Sequence, residues 1–219
     1  MPGTRNTGLL ALGGIALAAL LAVVGHLDVG DNLDPLTQTV SDFAVSDRGG
    51  VIDVAMVLLV LVTVALLHGL RRTGPPGPGF GWAAELLLGA WAAGLLLAAV
   101  VPTNDLGTAM NTAAYVHRYA SVVAFLALPA GGWLLARQRE LAPAARTLRT
   151  LVLLSLALAA TMIGSAYLGD RILIGLVERL LILTEVAVLG TLALTLTLTR
   201  TPTSVDHAVA VSHKRGIAA

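Results

Sequence analysis

The sequence contains no cysteine, only one lysine, and few charged residues of either sign. The lack of cysteine excludes disulfides, thiolate metal sites and a cysteine nucleophile. Charged residues make up only 12% of the 219 positions, and the formal net charge is +1. Proteins that bind nucleic acid usually carry a basic patch or stripe, which this chain lacks, so no nucleic-acid partner is expected.

Apolar residues are abundant, at 56% of the chain, and the mean hydropathy is +0.83. They recur in long runs of roughly 20 residues, the length that an α-helix needs to cross about 30 Å of hydrocarbon. The runs cover residues 8–27, 51–70, 82–101, 112–136, 148–168 and 172–198. Backbone amides must be satisfied within each segment in lipid, so the runs predict an all-α, polytopic integral membrane bundle of about six transmembrane helices.

The remaining residues form loops and one polar tail. The first apolar run is longer than the 7 to 15 residues usual in a secretory signal and lacks a small-residue cleavage site, which predicts a retained helix. We expect residues 1–200 to form a single transmembrane domain and residues 201–219 to be a polar, disordered cytoplasmic tail. The acidic segment from Asp28 to Asp47 and the Gly/Pro-rich segment from Thr73 to Gly81 are interpreted as loops.

Orientation follows from the distribution of lysine and arginine between alternate ends of the spans. Ten of the fourteen such residues fall on the side of the two termini. The other side holds Arg48, Arg118, Arg171 and Arg179. Lysine and arginine are enriched in cytoplasmic loops, so both termini are predicted to be cytoplasmic. The excess of arginine over lysine and the abundance of alanine and leucine indicate a bacterial source, so the expected location is a bacterial cytoplasmic membrane.

Six of the ionisable residues within the predicted spans are candidates for a site, because they lie mostly in the outer halves of the spans, where a charge is costly. They are Asp53, His117, Arg118, Glu178, Arg179 and Glu185. They can line an outward-facing pocket in which the histidine shuttles a proton, the carboxylates hold a cation, and the arginines bind a phosphate or carboxylate. Alternatively, the arginines only pair with the carboxylates and fix the bundle.

Neither a cofactor nor a metal ion is expected. Of the histidines, only His26 and His117 lie at compatible depths for a haem pair. Ser41, Asp53 and His117 include suitable residue types for a metallohydrolase, but a zinc site usually gathers further histidines. Both interpretations are therefore disfavoured.

Two segments resemble the DUF998 family of bacterial and archaeal membrane proteins. These are SDFAVSDRGG at 41–50 and VPTNDLGTAMNTAAYVHRYAS at 101–121. The resemblance implies a six-helix bundle but no activity, and Val101 stands where a phenylalanine is expected. The family motifs point to six residues on the outer side, namely Ser41, Asp42, Pro102, Thr103, Asp105 and His117.

Three functions remain open. The first is binding or transport of a lipid or other small molecule through an outward-facing polar pocket. The second is a non-catalytic accessory or assembly role, which predicts complete charge pairing and no cavity. The third and least favoured is an intramembrane lipid hydrolase that uses Asp53 and His117 with the Ser41 hydroxyl, which predicts that Asp53 and His117 converge. The surrounding bilayer is the one partner that all three share.

Overall fold

A computed structural model describes residues 3–27, 33–46, 50–73, 81–104 and 108–198. These residues form α-helices and connecting turns, with no strand among them. Among the described residues, six helices are long and apolar enough to cross a membrane. They are α1 (Thr4–Leu27), α3 (Val51–Thr73), α4 (Gly81–Val100), α5 (Thr112–Leu135), α6 (Ala145–Leu168) and α7 (Ile174–Leu198). The short helix α2 (Val40–Ser46) and a 3₁₀ helix (Arg139–Ala144) lie between them.

The helix α2 corrects one expectation, because its residues belong to the acidic segment interpreted as a loop. Its start is stabilised by a reciprocal cap. The Asp42 carboxylate accepts hydrogen bonds from the Thr39 backbone N–H and hydroxyl, both at 2.8 Å. The Asp42 backbone N–H in turn donates to the Thr39 hydroxyl at 3.3 Å. This arrangement corresponds to a capping box, a local signal for the start of a helix. The many acidic residues of the segment had instead favoured its interpretation as a loop.

The six long helices form a closed ring. Consecutive spans lie side by side in the order α1, α3, α4, α5, α6 and α7, and α7 returns to pack against α1. Helix α7 also contacts α3 and α5, so it packs against α1, α3, α5 and α6. Helices α4 and α5 approach closely at Gly94, where an added Cβ would lie 2.7 Å from the carbonyl oxygen of Ala120. Small residues allow such close backbone contact between membrane helices.

The outer surface of the ring is apolar around its circumference. Leu10, Leu61, Leu86, Leu153 and Leu183 are all at least half exposed although they come from five different helices. A bundle in water would turn such residues toward its core, whereas lipid accepts them on the outside. The chain is therefore an all-α, multi-pass membrane protein.

Candidate functional site

A cavity of about 470 Å³ lies at the end of the bundle where α5 and α7 begin, which we call the cavity end. Helices α5, α6 and α7 form its walls. The α2 segment covers it with Thr39, Ser41 and Asp42, and the chain between α4 and α5 contributes Thr103 and Asn104. Ligand pockets in proteins commonly have this size. The polar side chains gathered here belong to segments far apart in the sequence.

The inner part of the same cavity is apolar. It is lined by Val122, Phe125 and Leu126 of α5 and by Met162 and Ile163 of α6, a group that we call the apolar slot. Phe125 follows His117 by eight residues, so the slot reaches about 12 Å along α5 from the polar end. Val122 and Leu126 are each 45% exposed, and Ile163 is 56% exposed. The slot is therefore open at the side of the bundle, between α5 and α6.

Ser41 and His117 form a hydrogen-bonded pair in the polar part of the cavity. The His117 Nε2 atom lies 3.0 Å from the Ser41 hydroxyl oxygen, and its Nδ1 atom lies 2.8 Å from the carbonyl oxygen of Val101. A carbonyl oxygen can only accept, so Nδ1 must carry a proton. In a neutral ring, Nε2 is then an acceptor for the Ser41 hydroxyl. The histidine side chain itself is buried, with 7% exposure.

Two carboxylates hold α2 over the cavity. Glu178 in α7 is buried, and its carboxylate accepts a hydrogen bond from the backbone N–H of Val40. Asp42 caps α2 and lies 3.8 Å from the guanidinium group of Arg171. A buried carboxylate needs such partners to offset its loss of water. The hydrogen bond from Val40 fixes the residue directly before Ser41, so Glu178 helps to position the serine hydroxyl.

Arg179 lies outside the cavity and anchors the chain before α2. Its Nη1 atom donates to the carbonyl oxygens of Pro35 and Gln38, both at 2.8 Å, and of Gly175 at 3.0 Å. Hydrogen bonds from a charged donor are stronger than neutral ones. The arginine therefore has backbone partners rather than a carboxylate partner, and it fixes this segment onto the start of α7.

The other side of Arg179 contacts His26 and Phe43. Its Nη2 atom lies 3.0 Å from His26 Nε2, and its guanidinium carbon lies 4.8 Å from the Phe43 ring centroid. The His26 and Phe43 rings stack at 4.6 Å. Because the Ala22 carbonyl oxygen lies 2.7 Å from His26 Nδ1, that atom carries the proton and Nε2 accepts from the arginine. Sequence reasoning missed this cluster because no local spacing links its three members.

Glu185 lies in the core of the bundle rather than at the cavity. The indole N–H of Trp91 in α4 donates to one of its carboxyl oxygens at 3.2 Å. The other oxygen is buried without a hydrogen-bond partner among the described residues. Asp53 is half-buried in the first turn of α3 and does not line the cavity either. Within the described part of the chain, no three His, Asp or Glu side chains are grouped to hold a metal ion.

The structure thus separates the predicted site residues into two sets. Those that line the cavity are Ser41, Asp42, Thr103, His117, Arg118 and Glu178. Those that do not are Asp53, Pro102, Arg179 and Glu185. Asp105 lies outside the described residues. Arg171 also lines the cavity, although it was used in the sequence analysis only to assign the orientation of the chain. The apolar slot was not predicted.

Comparisons with known proteins identify a family. Residues 11–195 match the family model described as "Protein of unknown function (DUF998)". No curated protein and no solved structure matches the chain. The family match covers most of α1 and α7, the four long helices between them and every residue that lines the cavity. The chain therefore belongs to the DUF998 family.

Proposed function

We propose that this protein binds an amphiphilic lipid, with the headgroup at the polar end of the cavity and an acyl chain in the apolar slot. The observation that carries this proposal is the shape and lining of the cavity, which is polar at the end of the bundle, apolar farther in, and open at the side between α5 and α6. A lipid in the surrounding bilayer can enter such a cavity sideways without leaving the hydrocarbon layer.

The charges around the polar end favour an anionic headgroup. Arg118 lines the cavity and makes no hydrogen bond or ion pair with another described residue. Arg171 is held only at 3.8 Å from Asp42, whereas Glu178 is already engaged by the Val40 amide. An arginine binds phosphate and carboxylate groups through paired N–H donors. The two arginines are therefore available to bind a phosphate or carboxylate of the lipid.

The headgroup is expected to determine selectivity. Moving an acyl chain from bilayer hydrocarbon into the slot exchanges one apolar environment for another, so the hydrophobic effect adds little to affinity. Charge-assisted hydrogen bonds to the headgroup form only in the site. Lipids with the same chains and different headgroups should therefore differ in affinity more than lipids with the same headgroup and different chains.

Binding is favoured over transport because the bundle is closed beyond the cavity. Helix α7 continues inward with Val188, Leu189 and Leu192, which have no exposed surface. The cavity also supports binding over a purely accessory role, since that hypothesis predicted no cavity. Glu185, which was predicted to share the pocket with Glu178, has no part in this proposal, because only Glu178 lines the cavity.

Native mass spectrometry of the gently extracted protein tests the proposal. We expect a discrete lipid mass on the wild type and its loss in Arg118→Gln, which removes the charge, and in Leu126→Trp, which fills the slot. Leu61→Trp, on the exposed face of α3, is the matched control and should retain the lipid. The proposal fails if all the folded variants carry the same lipids as the wild type, or if the wild type carries none.

A further inference from the structure

We propose that Ser41 and His117 form a nucleophile and general base that cleave an acyl ester of the bound amphiphile. This inference rests on the proposed function, because the cavity must first hold the lipid. It differs from the hydrolase hypothesis of the sequence analysis in that Asp53 has no part and the serine itself attacks.

The hydrogen-bond pattern around His117 has the polarity that a general base requires. The Val101 carbonyl oxygen holds the proton on Nδ1, which leaves Nε2 of the neutral ring facing the Ser41 hydroxyl at 3.0 Å. A base within hydrogen-bond reach of a serine, itself oriented by a third group, is the arrangement of activated serine nucleophiles. Here the backbone carbonyl of Val101 orients the histidine, a role that an aspartate carboxylate has in a Ser-His-Asp triad.

The position of the pair matches the position of an ester in an amphiphile. Ser41 and His117 lie in the polar part of the cavity, and the slot begins at Val122, about 7.5 Å farther along α5 than His117. The bond that joins a headgroup to an acyl chain lies at the junction between polar and apolar parts of the molecule. A lipid with its chain in the slot therefore presents that bond near the serine hydroxyl.

The reaction proceeds in two balanced steps with water as the co-reactant. The Ser41 oxygen forms a bond to the ester carbonyl carbon while His117 Nε2 takes the hydroxyl proton. The tetrahedral intermediate collapses, the bond to the alcohol oxygen breaks, and His117 returns the proton to the leaving alcohol. Water then attacks the acyl-serine with His117 as base, which releases a carboxylic acid and restores Ser41. The Arg118 guanidinium, in the same cavity, can stabilise the negative charge of the intermediates.

An alkyl fluorophosphonate probe tests the nucleophile without knowledge of the natural lipid. Attack by an activated serine forms a Ser41 oxygen–phosphorus bond and releases fluoride. Mass spectrometry of the labelled full-length protein should locate the probe on Ser41, and Ser41→Ala should abolish the label. His117→Gln should slow labelling at least about 100-fold, the usual lower range for loss of a general base. Ser46→Ala, an exposed serine in the same short helix, is the control and should react like the wild type.

A second measurement does not depend on the stability of the His117 variant. Because the chain has no cysteine, Ser41→Cys and Ser46→Cys each introduce a unique thiol. A base at hydrogen-bond distance should make the thiol at position 41 react faster with a small neutral alkylating reagent, although position 46 is more exposed. Equal or slower reaction at position 41 overturns the inference. So does a fluorophosphonate experiment in which the wild type does not label at Ser41, or in which His117→Gln labels as fast as the wild type.

The outcomes also separate this inference from the proposed function. If Ser41→Ala retains the co-purified lipid and the wild type does not label, binding stands and the catalytic role is wrong. If the wild type carries no lipid yet Ser41 labels rapidly, Ser41 is an activated nucleophile, but the lipid-binding proposal and the assignment of a lipid ester as substrate are wrong.

Discussion

The contact between α7 and the chain before α2 can be perturbed at a single residue, Gly175. A Cβ added at this buried glycine would clash with the carbonyl oxygen of Gln38 and lie 2.6 Å from that of Pro35. Both obstacles are backbone atoms, which cannot rotate away as a side-chain end does. Gly175→Ala should therefore displace residues 35–38 from α7 and break the hydrogen bonds that Arg179 donates to them.

The expected loss follows from two opposing terms. Overpacking of a tight contact costs about 1–3 kcal/mol. Replacing glycine by alanine within a helix gains about 0.5–1 kcal/mol. Gly190 lies in the same helix, and an added Cβ there has no atom within 4 Å. Gly190→Ala should therefore show only the gain from replacing glycine by alanine, without the cost of overpacking. The free energies of unfolding of the two variants should therefore differ by about 1–3 kcal/mol, with Gly175→Ala the less stable.

Unfolding of both variants in the same detergent, followed by tryptophan fluorescence, measures this difference. Native mass spectrometry gives a second reading, because displacement of the chain before α2 also moves Ser41 and the cover of the cavity. We expect Gly175→Ala to retain less lipid than Gly190→Ala. Equal stability and equal lipid content in the two variants would refute the described packing of this segment on α7.

Two further predictions concern the bundle core and the orientation of the chain. Replacing Glu185 by Leu removes the acceptor of the buried Trp91 N–H and should lower the free energy of unfolding by about 1–3 kcal/mol. Replacing it by Gln keeps an acceptor oxygen and should lower the free energy of unfolding by less. Equal losses of stability in thermal unfolding would contradict this account. Single cysteines at the exposed positions Thr108 and Arg139 test the predicted cytoplasmic termini. An impermeant thiol reagent should label position 108 in intact cells and position 139 only after lysis. The reverse pattern would show that the orientation is opposite to the predicted one.

The spans were predictable from the sequence because lipid imposes a length and a composition on every crossing helix. Their ends differ from the predicted ones by a few residues at most, as at Thr4, where α1 begins before the apolar run. The polar residues Thr4–Thr7 extend α1, and α6 begins at Ala145, three residues before its apolar run, so hydropathy alone could not locate those ends. Short α2 escaped prediction because its start depends on the mutual hydrogen bonds of Thr39 and Asp42 rather than on apolar periodicity.

The polar half of the candidate site was predictable in composition but not in its contacts. Charged residues near span ends indicated the correct end of the bundle for His117 and Glu178. The hydrolase hypothesis grouped Ser41 with His117, but no spacing in the sequence predicts their direct hydrogen bond across 76 positions. Glu185 was grouped with Glu178 in one predicted pocket, whereas its carboxylate lies in the core and accepts a hydrogen bond from Trp91. The contacts that separate these cases form only on folding.

The apolar half could not be predicted from the sequence at all. Phe125 and Met162, which line the slot, have the same chemistry as Leu61 and Leu153, which face outward elsewhere on the ring. In a soluble protein, exposed positions are mostly polar and buried positions are mostly apolar, so the sequence pattern separates them. In a membrane, the inside and the outside are both apolar, so the hydrophobic pattern does not separate slot from surface.

Photo-crosslinking tests the central claim, a lipid chain held between α5 and α6, most directly. The protein is illuminated in bilayers that contain an anionic lipid with a diazirine in its acyl chain, and the labelled residues are located by mass spectrometry. We predict labelling of Phe125 and Met162 that an excess of the same lipid without the diazirine suppresses more strongly than labelling of Leu61 and Leu153. Labelling spread evenly over the outer surface, with no preferential suppression at the slot, would contradict the account.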